Sequence, residues 1–296
     1  LPIYTPLSSP IVLSGNMINS GDVVINNCSS CSGQTLVQSG NWTGANGSVH
    51  IGAVLEGDNT LTDKLIITGN ATGSTLVNVT NYNGLGAQTV TGFKVIETAG
   101  TTADAFKQAQ RTIVGSYDYL LKQGDAFDQD ANNWYMVSVF IDDDDVEYPI
   151  YRPESASYAS NLSMASSMFN NRLYDRQGNR WSINKKDGLI QEKSLWVRYE
   201  GSNQSYSVGN KFVNVDADTH VYQAGANILK GSSNGDDQWV VGAMAGYGTG
   251  SNSSNSEISK KISNGKVHGY SAGLYGTWFQ QGRSNSGLYV DSWLLY

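Results

Sequence analysis

Residues 194–296 carry about five long segments of alternating apolar and polar character, and nothing else in the chain limits its possible folds so strongly. They read SLWVRYEGSNQSYSV, THVYQAGANILKG, QWVVGAMAGYGTG, KVHGYSAGLYGTWFQ and GLYVDSWLLY, each about 9 to 15 residues long. Successive side chains on a strand point to opposite faces. In the second segment Tyr222, Ala224, Ala226 and Ile228 therefore share one face, and Gln223, Gly225 and Asn227 the other. In the fourth, Tyr270, Ala272, Leu274 and Trp278 oppose Gly269, Ser271, Gly273 and Thr277. The third alternates less cleanly. One apolar face with aromatics near its ends, and one small polar face, is the pattern of an antiparallel outer-membrane β-barrel strand, which needs about 9–11 residues to cross a bilayer. A soluble sandwich also alternates. Strand length, the end aromatics and the Gly-rich polar face favour the barrel, over residues 190–296.

Composition fits the same reading. Only 15% of the 296 residues are charged, and 19 Lys and Arg against 26 Asp and Glu give a net charge of −7. The polar bulk is neutral, with 33 Gly among abundant Ser, Thr and Asn. No basic patch points to nucleic acid as a partner. No run of about 18 apolar residues suggests a transmembrane helix. The chain opens LPIYTPLSSP, without an initiator Met or a signal-peptide core, so a longer precursor is expected.

Residues 1–140 have a different rhythm. From residue 11 onward, short strands such as Val23-Val24-Ile25, Thr35-Leu36-Val37, Ser48-Val49-His50-Ile51, Lys64-Leu65-Ile66-Ile67 and Thr75-Leu76-Val77-Asn78-Val79 start about 9 to 16 residues apart. Gly and Asn recur at the turns between them. That spacing suits a sandwich, a barrel or a stacked β-solenoid, and the recurrent Asn and Gly favour the solenoid. A rung cannot bury its apolar face alone, so the stack needs a cap. Residues 104–122, DAFKQAQRTIVGSYDYLLK, break the rhythm, and Tyr117, Tyr119 and Trp134 supply the bulk for that cap.

Residues 141–180 change character again. Asp142 to Asp145 open an acidic, extended stretch that Pro149 and Pro153 keep out of helix. Four consecutive Asp lack the alternating ligand spacing of a calcium loop. The spacing then predicts a helix over 155–176, with Ser155 as N-cap and Gly178 past its end. Tyr158, Leu162, Ala165, Phe169 and Leu173 form a narrow stripe on it, with Arg172 and Arg176 at its end. The rest of its surface is Ser, Asn and Ala, which suits a hydrated channel better than an apolar core. At 1.5 Å per residue it would span about 33 Å, close to a bilayer's hydrocarbon thickness of about 30 Å.

Chemistry-bearing residues are sparse. Cys28 and Cys31 are the only cysteines and lack a second ligand pair for zinc. A small disulfide or an unpaired thiol pair is expected. His50, His220 and His268 fall on separate strands, so neither a catalytic triad nor a metal site is expected, and no cofactor. Asp291 would face the barrel lumen and pair there with a cation such as Arg198.

The order of the Gly-rich β-stretch, YRPE, a polar helix ending in RLYDRQG, and WVRYEG opening a barrel resembles the autotransporters of type V secretion. The likeness covers residues 40–296. Residues 57–100, GDNTLTDKL through VIETAG, resemble the pertactin-like end of a passenger β-helix, a segment described as an autochaperone. The resemblance implies an all-β fold: a right-handed parallel β-helix, a pore-spanning α-helix and part of an antiparallel outer-membrane barrel. It implies a non-enzymatic module in the Gram-negative outer membrane that exports and anchors its own passenger at the cell surface. Outer-membrane lipid, the barrel-assembly machinery and periplasmic chaperones are the implied partners. An adhesin is the alternative, its solenoid binding a host or neighbouring cell.

Two departures bear on this resemblance. The family's barrel has twelve strands, whereas about five precede Tyr296, so a truncated barrel is expected. Some members cleave the helix at an Asn-Asn bond, and Asn170-Asn171 is such a pair. Placing Arg172 on the Arg of their motif, however, puts Ser167-Met168 at the cleaved bond, and two lumen-facing polar residues is the simpler reading.

Overall fold

A computed structural model describes residues 10–26, 32–177, 181–183, 190–192, 194–282 and 287–296. Cys28 and Cys31 lie outside the described residues. The chain divides into two compact units: one of residues 1–155, 207–213 and 256–261, the other of residues 156–206, 214–255 and 262–296.

The first unit begins with short strands β1 (Ile11–Ser14), β2 (Met17–Asn19), β3 (Asp22–Val24) and β4 (Thr35–Ser39). Longer β5 (Trp42–Ala53), β6 (Lys64–Asn81) and β7 (Phe93–Thr101) follow, then β8 (Phe106–Gln108). Parallel ladders stack β1, β4, β6 and β7 on one face, and β2 and β3, β5, β6 and β8 on another. Strands distant in sequence thus lie over one another, as a β-solenoid requires. Register aligns the inward side chains: Leu36 over Leu65 over Ile96, and Val49 over Val77. These residues are fully or nearly fully buried, with Trp42 wholly enclosed and its indole N–H donating to Thr75 Oγ1 at 2.9 Å.

Each rung turns one corner at a Gly-Asn pair. Asn41 N–H donates to Asn16 Oδ1 at 2.9 Å, and Asn70 N–H to Asn41 Oδ1 at 2.8 Å. The asparagines form a ladder that satisfies amides left unpaired where the strands break. Gly40 sits at φ +143°, and a Cβ there would collide with the Gly15 carbonyl below it. Only glycine permits that approach.

The stack then changes direction. Strands β9 (Thr112–Val114), β10 (Tyr117–Gln123) and β11 (Trp134–Val137) run antiparallel, β11 pairing with β7 and β10 with both β9 and β11. A hairpin β12 (Val139–Ile141) and β13 (Glu147–Pro149) completes the unit.

Helix α1 (Pro153–Ser167) and the short α2 (Leu173–Gln177) come next. The single helix expected over 155–176 starts earlier and is interrupted. Pro153 is pre-organised for the first helical position, which moves the start ahead of Ser155. Near the break, the hydroxyls of Ser166 and Ser167 both donate to the Ser163 carbonyl at 2.9 Å, competing with the helical ladder, and Asn170 and Asn171 are weak helix formers. Arg172 N–H donates to Asp175 Oδ2 at 2.8 Å, restarting the helix as half of a capping box. Among the described residues, no helix is long and apolar enough to cross a membrane.

The second unit contains β14 (Trp181–Ile183) paired with β15 (Ile190–Glu192). Its main sheet is antiparallel, in the order β16 (Leu195–Val208), β17 (Val213–Gly231), β18 (Gln238–Ser256), β19 (Ile262–Phe279) and β20 (Tyr289–Leu295). Among the described strands this sheet stays open, with β16 and β20 at its edges. Alternation is strict on β18: Val240, Gly242, Met244, Gly248, Gly250, Asn252 and Ser254 on the covered face, Val241, Ala245 and Tyr247 on the other.

Trp42→Ala should lower the unfolding free energy of the solenoid by about 3–5 kcal/mol. Asn41→Ala, which removes one acceptor at the rim, should cost about 1 kcal/mol. Urea midpoints for protease resistance of residues 10–141, measured on the intact chain, test this order; equal costs would overturn it.

Candidate functional site

In the first unit the aromatic residues close the solenoid. Tyr119 is fully buried, and its hydroxyl accepts from Ala87 N–H at 2.9 Å and lies 2.8 Å from the carbonyls of Glu56 and Ala87. That one oxygen ties two loops to the cap, and burial pushes the phenol's pKa up. Trp134 is buried edge-on to Phe106 at 5.5 Å, its indole N–H donating to Thr101 Oγ1 at 3.2 Å. Tyr117 stands further out, its ring 5.7 Å from that of Tyr151.

Ion pairs brace the cap at two points. Arg111 donates from Nε to Asp118 Oδ2 at 2.8 Å and grips both oxygens of Glu154 in the first turn of α1. Asp118 is wholly buried, and its other oxygen has no hydrogen-bond partner. Burial opposes ionisation of Glu154, yet Arg111 holds its carboxyl below the ordinary value. At the second point, Asp130 accepts from Tyr135 at 2.6 Å and from Asn133, and pairs with Lys94 at 3.0 Å. Those hydrogen bonds, the one from Tyr135 foremost, bring its pKa down to about 2.

In the second unit, α1 lies on the small, polar face of the sheet. The buried positions are Ser157, Ser160 and Met164 on α1 and Met168 and Asn171 just after it, three or four residues apart. Tyr158 and Leu162, in the stripe read from the sequence, are 68% and 73% exposed; Ala165 is exposed, and Phe169 and Leu173 are half-buried. The packed face is not the apolar stripe, because the sheet beneath offers backbone rather than apolar pockets. A Cβ at Gly248 would run into the Met168 sulfur, and one at Gly250 would crowd that of Met164. Serine and pliable methionine fit that surface, and larger rigid side chains do not. Ser157 Oγ meets Ser254 Oγ at 3.0 Å, and Asn252 Nδ2 donates to Asn161 Oδ1 at 2.8 Å. A cavity of about 210 Å³ beside the helix is lined by Ser163, Ser167, Glu200, Ser202, Gln204 and Thr219 among others.

The break after α1 is held by its unpaired carbonyls. Arg198 Nη1 donates to Asn170 O at 3.0 Å and to Gln223 Oε1 at 2.9 Å, while Gln223 Nε2 donates to Phe169 O at 3.5 Å. A cation at a helix C-terminus also complements the dipole. Asn170 is exposed, and buried Asn171 donates to Gln223 Oε1 at 3.4 Å. Arg172 is exposed.

The pairing expected between Arg198 and Asp291 does not form. Arg198 pairs instead with Glu200 and, at 3.8 Å, with Asp175. Asp291 pairs with Arg176, whose side chain is almost wholly buried. The Arg176 guanidinium lies 4.8 Å from the Tyr275 ring, and Thr277 Oγ1 donates to Asp291 Oδ1 at 2.7 Å. Arg176 reaches Asp291 first because the restarted helix carries it towards β20, whereas Arg198 is engaged at the helix break. Sequence reasoning places Gln223 on the polar face of its strand but misses Asn252, Ser254, Met164 and Met168; the Gly, Asn and Ser positions on one face of β18 are the available signal.

The opposite face of the sheet is apolar. Tyr247 pairs with Tyr270, and eight positions along the strand Trp239 pairs with Trp278. Eight residues span about 27 Å along a strand. Between the two rows lie Val241, Ala243, Ala245, Ala272 and Leu274; beyond the tyrosines come Thr249, Ser251, Ser253 and Asn255. Tyr199 and Tyr222 extend the tyrosine row, their rings 5.0 Å apart.

Comparisons with known proteins match both units. A family model described as Autochaperone Domain Type 1 matches residues 14–121, and one described as Autotransporter beta-domain matches residues 195–296. The uncharacterized protein YdeU of Escherichia coli (strain K12) is 38% identical over 281 residues, covering 89% of this chain and 60% of its own length. Autotransporter adhesin AIDA-I of Escherichia coli is 32% identical over 265 residues, covering 89% of this chain and 20% of that protein. Adhesin BmaC autotransporter of Brucella suis biovar 1 (strain 1330) is 30% identical over 287 residues, covering 87% of this chain and 8% of that protein. The chain thus spans less than two thirds of these relatives. The crystal structure of the transport unit of AIDA-I has a TM-score of 0.41 at 28% identity, covering 49% of this chain and 43% of that one.

Arg111→Met leaves Asp118 as an uncompensated buried charge and should destabilise the first unit by about 3–5 kcal/mol. Adding Asp118→Leu should restore most of that, as denaturant unfolding would show. Asp130 gives a pH test. Its folded pKa lies below the ordinary aspartate value of 3.8, so its stabilisation is present above about pH 4 and is lost as pH falls towards about 2. Asp130→Asn should therefore unfold at lower urea than the parent at pH 6, and the gap should shrink below pH 4. A gap that stays constant would contradict the linkage.

Proposed function

Because the chain carries an autochaperone domain and an autotransporter β-domain and so belongs to the autotransporters, we propose that it is the part of such a protein that exports and anchors its own passenger at the bacterial surface. In this reading residues 1–140 are the end of the passenger, residues 141–180 the linker and pore helix, and residues 190–296 strands of the translocator in the outer membrane.

The observation that carries the proposal is the two-faced sheet. One face is apolar between rows of Trp and Tyr, as lipid contact requires. The other is Gly, Ser and Asn, with α1 seated on it by serine, methionine and amide contacts. Arg198 and Gln223 hold the break after that helix, and the Arg176–Asp291 pair holds α2, which would give the emerging chain a fixed position in the lumen. Export needs no chemistry from this chain: once outside, the solenoid folds against the Tyr119–Trp134 cap, and its stability opposes return. Assembly machinery and periplasmic chaperones are partners that the family brings in general. The names of AIDA-I and BmaC as adhesins favour a second role, in which the solenoid surface also binds a host or neighbouring cell.

Ser160→Trp tests the pore reading in the cell-borne protein. An indole in place of a buried hydroxyl should overpack the helix–sheet contact by about 1–3 kcal/mol. Expected are an assembled, heat-modifiable barrel, reduced surface display of the passenger and a raised conductance in planar bilayers. Unchanged display together with unchanged conductance would remove the helix from the pore.

A further inference from the structure

The cap hairpins of the first unit, together with Ile258 of its 256–261 segment, line an open groove of about 460 Å³, within the range of ligand-binding clefts. Its floor is a small apolar cluster apart from the solenoid core: Val137, Val139 and Ala126 are buried, with Leu120, Phe127 and Ile141 half-buried against them. Three consecutive residues, Val139, Phe140 and Ile141, all line the groove. Alternate side chains of a strand point to opposite faces, so the groove runs along the edge of β12. That edge is open, since β12 pairs with β13 alone among the described strands.

The rim is acidic. Asp128, Asp142, Asp143 and Asp145 contribute to the lining, against one cation, Lys122. Lys122 is already engaged, 2.8 Å from Asp128 and donating to Ala126 O at 3.0 Å. Asp142 accepts from its own turn, at Asp144 N–H and Val146 N–H. Asp143 and Asp145 are exposed and form no ion pair among the described residues.

From these three features we infer that the groove binds an extended peptide segment in which Lys or Arg alternates with large apolar residues. The backbone would add to β12 as a strand, every second side chain would settle on the Val139–Ile141 floor, and the cationic ones would meet Asp143 and Asp145. An acidic segment is repelled by the same rim. A free apolar molecule would leave both the strand edge and the carboxylates unused. The inference rests on the first unit alone and does not depend on the export reading.

The test uses the whole chain in nanodiscs of zwitterionic lipid and a labelled peptide of about nine residues, ~30 Å when extended, alternating Val and Lys. Fluorescence anisotropy at low salt should show saturable binding that empty nanodiscs lack. A Val-Glu peptide should not bind, nor a Val-Lys peptide N-methylated at alternate residues, which cannot extend the sheet. Asp143→Asn with Asp145→Asn should weaken binding about three- to tenfold, two exposed pairs being lost. Ile141→Asn should weaken it as well, with protease resistance of residues 10–141 confirming the fold of both variants. No binding, equal binding of the Val-Glu or N-methylated peptide, or no response to the aspartate changes would overturn the proposal. So would concentration-dependent self-association that blocks the peptide, which would assign the groove to a second copy.

Discussion

Close approach of backbone to backbone is the constraint on which both units depend. In the solenoid, strands far apart in sequence must stack at the ordinary inter-strand spacing of about 4.8 Å, and the chain must cross from one rung to the next without lifting them apart. Gly40 against the Gly15 carbonyl and the Asn16–Asn41–Asn70 ladder meet that demand at one corner. In the second unit the same demand falls on the covered face of β18, where Gly248 and Gly250 let α1 rest almost on the strand. The excess of glycine and neutral polar residues is therefore one solution applied twice, to stack rungs and to seat a helix.

Scarcity of charge makes the few charged groups informative. Arg111 neutralises a wholly buried aspartate and reaches the first turn of α1 in the same stroke. Arg198 satisfies a carbonyl that the helix break leaves free, and Arg176 carries a buried pair with Asp291. A buried pair of this kind contributes little net stability over an apolar substitute, but its loss on one side costs several kcal/mol. Such pairs fix where segments meet more than they add to how strongly they cohere. On the proposed reading, that is what a linker held at one height in a barrel lumen would need.

The sequence was most legible where a period carries the information. The solenoid followed from recurrent Gly and Asn between short strands, and the tripeptides Ser14-Gly15-Asn16, Ser39-Gly40-Asn41 and Thr68-Gly69-Asn70 mark the corners themselves. The five long strands followed from two-residue alternation. The cap was legible as bulk breaking the rhythm, although not as a switch from parallel to antiparallel pairing, which depends on β11 returning to β7. The helix was legible in place but not in orientation. Apolar residues normally mark the buried face of a helix, and Tyr158 and Leu162 obeyed that rule in pattern only. What decided the face was the surface opposite, glycine and serine, which no inspection of the helix alone reveals. The partner of Asp291 was missed for a related reason: the break at Asn170 and Asn171 redirects Arg176, and that redirection is a tertiary effect.

A helix seated by serine, asparagine and methionine is weakly held by the measure of protein cores. A hydrogen bond between neutral side chains contributes about 0.5–1.5 kcal/mol net, whereas a fully buried leucine contributes about 1.5–3 kcal/mol. The polar cavity beside α1 lowers the grip further, because it leaves one flank of the helix without packed neighbours. For a structural helix this would be a defect. In the proposed role of a segment that follows a passenger through a barrel it would be a requirement, since every contact made on the way must also be broken. Leucines at Ser157 and Ser160 would bind deeply wherever the sheet offered room and would stall passage. Serine binds only where a partner such as Ser254 waits, so contact is made in register and elsewhere gives way to water. The strong interactions lie at the two ends of the segment, where Arg111 grips Glu154 in the first turn of α1 and where Arg176 and Arg198 engage beyond its last turn. In the proposed export role, weak contact along the length and strong contact at both ends would let a polar helix pass through the lumen and be held once transport is complete.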